Sequence, residues 1–297
     1  MAGPTDSLNR ALSAWQSWDL PQPLQQAPHC GPSLAHGSAH VVYQLHTQPQ
    51  AALQLVARVR QRATRTAAES FAREIEIWRA ASTAGCAPRL VYTDEIGEVV
   101  ICQYASILDT PVTGLELGTL CEHIHALPPV DHSLDLKAEV AGYLESMAPD
   151  LHDAWHAVIR QCDLDASLRL LDGDEHCLCH NDLTAGNLMR SEGRLVAIDW
   201  EYAAMGSRYF DLAIAGQGLC PKGRSELIRS VLGDKPDLAL MSAGQRAASL
   251  ITALWQNRYE PEAAPSPTPG GARRLRGESM ACAGCGRDWR IIRVPTA

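Results

Sequence analysis

The stretch CHNDLTAGNLM, Cys179 to Met189, sets a histidine, an aspartate, two asparagines and a glycine between two apolar runs. Asp182 and Asn187 stand five residues apart, and Asp199 follows twelve residues later in RLVAIDWEY, where a short apolar strand ends. Carboxylate, amide and carboxylate in that order suit phosphoryl transfer from a nucleotide, a reaction that asks little covalent chemistry of a protein. It needs a carboxylate near the attacking hydroxyl, oxygen ligands for magnesium, and a cation over the phosphates. The loop and the strand end supply the first two. For the third, the chain has only Lys137, Lys222 and Lys235, all of them beyond the strand-rich N-terminal part that ends near Tyr104, so a phosphate-pairing cation there must be arginine. Arg58, inside the apolar strand LQLVARV, is the first candidate, with Glu74 on the following helix as its ion-pair partner. Arg60 has the same strand parity and stands second.

The elements that would hold these groups follow from periodicity. Helical spacing from Leu8 to Trp18 ends at the proline-rich PQPLQQAP. HGSAHVVYQLH and AALQLVARVR then read as strands around a turn at Thr47 to Gln50. From Ala67 the period becomes helical, with Phe71, Ile75, Trp78 and Ala81 on one face and Gly85 and Pro88 as stops. APRLVYTDEIGEVVICQY reads as two more strands around Asp94 to Gly97. Strand pair, helix, strand pair makes a small α+β lobe. Beyond it the chain is mainly helical, around Leu115 to Leu127, Leu136 to Met147, Leu151 to Leu171, Asp211 to Leu219, Ser225 to Leu232 and Gly244 to Tyr259. The expected organisation is an N-terminal helix and linker over 1–28, a lobe over 29–104, a helical lobe over 105–260 and a tail over 261–297. PEAAPSPTPGGARRLRG opens that tail, whose low complexity predicts disorder.

Composition excludes some classes. A net charge of -8 without a basic run argues against nucleic acid as a partner and favours a cationic ligand. The N-terminal segment lacks a basic region followed by an apolar stretch, and no run of about 18 apolar residues occurs, so no membrane partner and a cytoplasmic location are expected. The ten cysteines are scattered and are expected to be reduced core residues; Cys177 and Cys179 alternate with Leu178 as strand residues would. In the tail, CAGC has metal-ligand spacing but lacks a second pair.

HND followed by GN, then IDWEY, then RYFD, together with LVAR and APRLVY, resembles the choline and ethanolamine kinase branch of the aminoglycoside phosphotransferase and choline kinase superfamily. The resemblance runs from about Gly31 to Tyr259. It implies a protein-kinase-like two-lobe α+β fold and a kinase using ATP and magnesium on a small hydroxyl acceptor: choline or ethanolamine first, thiamine next, an aminoglycoside as the alternative. It also implies Asp182 as catalytic base, Asn187 and Asp199 as magnesium ligands, Arg58 as phosphate contact and Glu74 as its orienter. Asp211 would brace the catalytic loop and His180 would belong to it structurally. The nucleotide-covering turn of relatives is glycine-rich or carries a Ser/Thr-Asn pair; here GPSLAHGSAH offers Gly37 and Ser38 for a backbone cradle. Glu201, Trp200 and Tyr202 are candidates for a cationic substrate, through charge and through cation–π attraction. The histidine at the end of EHIHALP reads as a capping or packing residue. A non-catalytic, pseudokinase-type binding module is the other class left open.

Overall fold

The computed structural model describes residues 4–36, 40–47, 54–61, 65–94, 96 and 98–259. The described residues divide into two units, one of those up to Pro111 with Gly186–Glu201, the other of Val112–Ala185 with the described residues from Tyr202 to Tyr259.

The first unit is built on α1 (Pro4–Ser13), β1 (His29–His36), β2 (His40–His46), β3 (Leu55–Arg60), α2 (Arg65–Thr83), β4 (Leu90–Asp94) and β5 (Val99–Gln103). Its sheet runs in the order β1-β2-β3-β5-β4, antiparallel throughout. Strand parity decides which side chain goes where. Leu55, Ala57 and Val59 of β3, with Val99 and Ile101 of β5, form a core with Leu8, Ala11 and Trp18 of the N-terminal segment. That segment is therefore one cover of the sheet, anchored further by Arg10 Nε to Asp94 Oδ2 at 2.6 Å. The even positions of β3, including Arg58, fall on the other side. On α2 the buried positions Phe71, Glu74, Ile75, Trp78 and Ala81 keep helical spacing, so one carboxylate is carried into an otherwise apolar face.

Sequence reasoning placed one strand before the Thr47 turn, but a further strand, β1, precedes it; Gly31 and Pro32 disguise it, and its register shifts beside them. Gly31 itself lies against the exposed His46 ring, which a side chain at this position would have to displace.

The second unit contains α3 (Gly114–His125), α4 (Leu136–Glu145), α5 (Pro149–Gln161), α6 (Leu164–Asp172) and β6 (His176–Cys179). The hairpin β7 (Leu188–Ser191) and β8 (Arg194–Ala197), part of the first unit, comes next in the chain. Then β9 (Ala204–Ser207), α7 (Arg208–Ala215), α8 (Pro221–Leu232) and α9 (Leu238–Tyr259) complete the second unit. The continuous helix expected over Leu151 to Leu171 is two helices, because Asp163 takes a left-handed φ of 49° between them. No glycine or proline marks that break. The helices share a core containing Trp155, Leu168, Phe210, Ala247, Leu250 and Leu254. Small residues set the closest approaches: a methyl on Gly244 of α9 would lie 2.5 Å from the Tyr209 carbonyl oxygen of α7. The eight described cysteines are all free thiols. Gly37, Ser38 and the tail over 261–297 lie outside the described residues.

Candidate active site

In the first unit a two-residue turn, Glu192 and Gly193 with φ of 50° and 79°, closes the β7–β8 hairpin. Positive φ at both central residues matches the twist of the strands it joins. The register pairs Leu188 with Ala197, and the Ile198 N–H donates to the Asn187 carbonyl at 2.9 Å. The open end of the hairpin therefore sets Asn187 beside Ile198 and puts Asp199 next in line. Asp199 has a φ of 66°, a left-handed conformation uncommon for a side-chain-bearing residue and the kind of local strain found at functional positions.

Arg58 is buried on β3 and donates to both Glu74 carboxylate oxygens, Nη1 to Oε1 and Nη2 to Oε2, the latter at 3.2 Å. Its Nη2 also reaches Asp199 Oδ1 at 3.4 Å. Trp78 lies under the guanidinium, whose central carbon is 5.7 Å from the ring centroid, and His40 Nε2 is 3.1 Å from Nη2. Burial, then the charges of Arg58 and Arg60, pushes the His40 pKa down to about 3, so that imidazole is neutral. Burial would lower the Arg58 pKa, but Glu74 and Asp199 more than offset it and raise it. Arg60 pairs with Glu98 at 3.4 Å. Glu201 keeps solvent contact, yet crowding by protein, then the Asp199 and Glu74 carboxylates, pushes its pKa up to about 7; water at the open side screens part of that effect.

In the second unit the loop after β6 carries His180, Asn181 and Asp182. Asn181 adopts a φ of 64°, and its side-chain amide donates to the Tyr202 carbonyl at 3.0 Å. The Asp211 carboxylate, fully buried at the start of α7, accepts from the backbone N–H groups of Asn181 at 2.7 Å and His180 at 3.4 Å. It also takes His125 Nε2 at 2.8 Å. Burial would raise the Asp211 pKa, but the hydrogen bond and charge of His125 hold it lowered; the same pairing raises His125 against its own burial. His180 is buried, and its Nδ1 accepts from the Asp182 N–H at 3.3 Å. One carboxylate thus anchors the loop that displays Asp182.

The sequence predicts a capping or packing role for His125; in the structure it is the partner of Asp211. The available signal was a histidine at a helix C-terminus, where a cation is favoured. Trp200 needs correction. It is fully buried, with Nε1 donating to the Ala197 carbonyl at 3.2 Å, so its face is core and not a platform for a ligand. Tyr202 stays partly open and hydrogen-bonds the Tyr143 hydroxyl. Burial, then the charges of Glu139 and Tyr259, pushes Tyr143 up to about 12, with a smaller push from Asp182. Trp255 and Tyr259 stand near one another, ring centroids 5.4 Å apart.

A comparison with curated protein sequences finds no match. Solved structures do match. The chain is similar to a choline/ethanolamine kinase family protein from Mesorhizobium loti, with 18% identity, a TM-score of 0.62, and coverage of 91% of this chain and 94% of that one. It is similar to the choline kinase of Cryptosporidium parvum, with 13% identity, a TM-score of 0.59, and coverage of 92% and 94%. It also resembles APH(2″)-IIa, solved in a ternary complex with streptomycin and ATP, with 15% identity, a TM-score of 0.56, and coverage of 93% and 97%. These likenesses establish the kinase-like fold, a strand-rich antiparallel N-terminal part followed by a helical part. The model of the phosphotransferase enzyme family matches residues 32–243, a span holding Arg58, Glu74, Asp182, Asn187, Asp199 and Asp211, and the chain belongs to that family.

Proposed function

We propose that the chain moves the γ-phosphate of ATP to a hydroxyl of a small cationic alcohol of the choline or ethanolamine type. Asp182 takes the hydroxyl proton and orients the oxygen for attack. Its loop is pre-set by the hydrogen bonds to Asp211, so no ordering is left for the moment of reaction. Arg58, steered by Glu74, covers the phosphates.

Magnesium suits the residues present. Asn187 and Asp199 offer an amide oxygen and a carboxylate at one hairpin end, the hard oxygen donors this ion takes with water and phosphate. Glu74, Asp199 and Glu201 also act together on Arg58, three carboxylates around one guanidinium, a surplus that a divalent cation would offset. Bound there, magnesium would neutralise charge building on the phosphate oxygens.

The observation that carries the acceptor class is the group around Tyr143 in the second unit. Tyr143 and Tyr202 share a hydrogen bond, with Glu139, Tyr259 and Asp182 close enough to act on Tyr143 electrostatically. Aromatic faces beside carboxylates attract a quaternary or primary ammonium group. Among these structural neighbours, two are choline or ethanolamine kinases and one is an aminoglycoside phosphotransferase, so the choice between acceptors rests on the group around Tyr143. The test is ATP consumption over a panel of choline, ethanolamine, neutral alcohols of the same size, thiamine and aminoglycosides. Turnover confined to the small ammonium alcohols supports the reading. Preference for neutral alcohols, thiamine or aminoglycosides would overturn it.

A further inference from the structure

The second unit brings two thiols that phosphoryl transfer does not use beside His125, the partner of Asp211. Cys177 and Cys179 alternate along β6, which pairs antiparallel with β9, and their side chains share one side of the strand. Their sulfurs lie 3.8 Å apart. His125, the last residue of α3, ends beside them, and one ligand atom from each of the three lies within 4.8 Å of the others. The His125 side chain is 6% exposed. Nε2 is committed to Asp211, while Nδ1 is buried and has no hydrogen-bond partner among the described residues. A buried imidazole nitrogen is costly to leave unsatisfied.

We propose that His125 Nδ1, Cys177 Sγ and Cys179 Sγ form a zinc site with its fourth position open to water. The sulfur separation fits: two thiolates bound at about 2.3 Å on a tetrahedral zinc stand about 3.8 Å apart. A disulfide fits less well, because alternate residues of an extended strand are about 6.7 Å apart at Cα, the outer edge of the range a disulfide spans. Asp211 completes the arrangement, since a carboxylate on the far nitrogen of a metal-binding histidine fixes its tautomer and ring orientation. Cys177 keeps solvent contact and gives the ion a way in, while Cys179 is buried. Binding releases the two thiol protons, and the Nδ1 proton wherever His125 is protonated, to solvent and leaves the metal's oxidation state unchanged.

The experiment uses the full chain with Cys282→Ser and Cys285→Ser, so that the tail thiols do not compete. The reduced, chelator-treated protein is titrated with cobalt and then zinc. One cobalt per chain, with the intense near-ultraviolet absorption of thiolate ligation and displacement by zinc, is expected. Cys177→Ser in the same background should weaken binding about 100-fold or more. If that variant does not fold, alkylation of the parent protein decides the matter. Zinc should slow labelling of Cys177 and Cys179 at least tenfold while leaving the exposed Cys30 and Cys220 unaffected. Absence of thiolate–cobalt absorption, unchanged affinity in folded Cys177→Ser, or equal labelling with and without zinc would overturn the site.

Discussion

Replacing Glu74 by glutamine separates what the Arg58 pair does for the fold from what it does for ATP. Glu74 holds both guanidinium nitrogens and is buried, so its loss strands a buried cation. Removing one partner of such a pair costs about 3–5 kcal/mol. Glutamine keeps one acceptor oxygen, and Asp199 at 3.4 Å remains as a partly exposed partner, so the loss should fall near the lower figure. At ~2–4 °C per kcal/mol for a chain of this size, the melting temperature should drop by roughly 6–12 °C. The double substitution Arg58→Met with Glu74→Leu removes both charges and leaves apolar volume, a change that is often neutral or stabilising. It should recover most of the stability and none of the ATP affinity, because the phosphates have lost their cation. The assays are thermal and urea unfolding beside calorimetric titration of ATP with magnesium. If the double variant binds ATP as tightly as the unmodified protein, Arg58 is an ordinary core ion pair and the phosphate assignment fails. If Glu74→Gln unfolds at the original temperature, the buried-pair argument fails as well.

Three other perturbations have outcomes fixed by the same geometry. Asp199→Ala should abolish the magnesium dependence of ATP binding, since it removes the carboxylate set next to Asn187 at the hairpin end; titration of ATP with and without magnesium reads this directly. Glu201→Gln should gain melting temperature relative to the native protein as pH rises. A carboxyl whose folded pKa is raised contributes stability that is present below the unfolded value near 4.5 and is lost as pH climbs through about 7, so the difference between the two proteins should widen from pH 5.5 to pH 8. A constant difference across that range would refute the crowding of Glu201 by Asp199 and Glu74. Gly244→Ala should destabilise the second unit by about 1–3 kcal/mol in urea unfolding, because the new methyl meets the α7 backbone instead of a movable side chain.

Much of this arrangement is written in local pattern. The apolar run around Arg58 and the helical spacing of Phe71, Ile75, Trp78 and Ala81 are enough to place a cation on a strand and a carboxylate on the facing helix, where the structure pairs them. The strand β8, which ends at Ala197 two residues before Asp199, is equally visible as an apolar run. Other features depend on tertiary contacts that no periodicity records. His125 and Asp211 are 86 residues apart, and nothing near either announces the other. The break at Asp163 has no glycine or proline to mark it, because an aspartate tolerates the left-handed conformation there. Trp200 is a candidate ligand face only by its aromatic character, yet its indole is satisfied by a carbonyl three residues back and its side chain is fully buried. The grouping of Gly186–Glu201 with the N-terminal unit is likewise invisible along the chain, since it follows from how the β7–β8 hairpin folds back.

Single-turnover transfer of the ATP γ-phosphate, native protein against Asp182→Asn, tests the central claim most directly, with choline or ethanolamine as acceptor and the phosphorylated product measured. General-base catalysis is worth about 10²–10⁴ in rate, so the variant should lose that factor while its ATP affinity stays within about twofold of the native value. Transfer at the native rate in Asp182→Asn, or no transfer by the native protein to any hydroxyl acceptor while ATP is bound, would contradict the account.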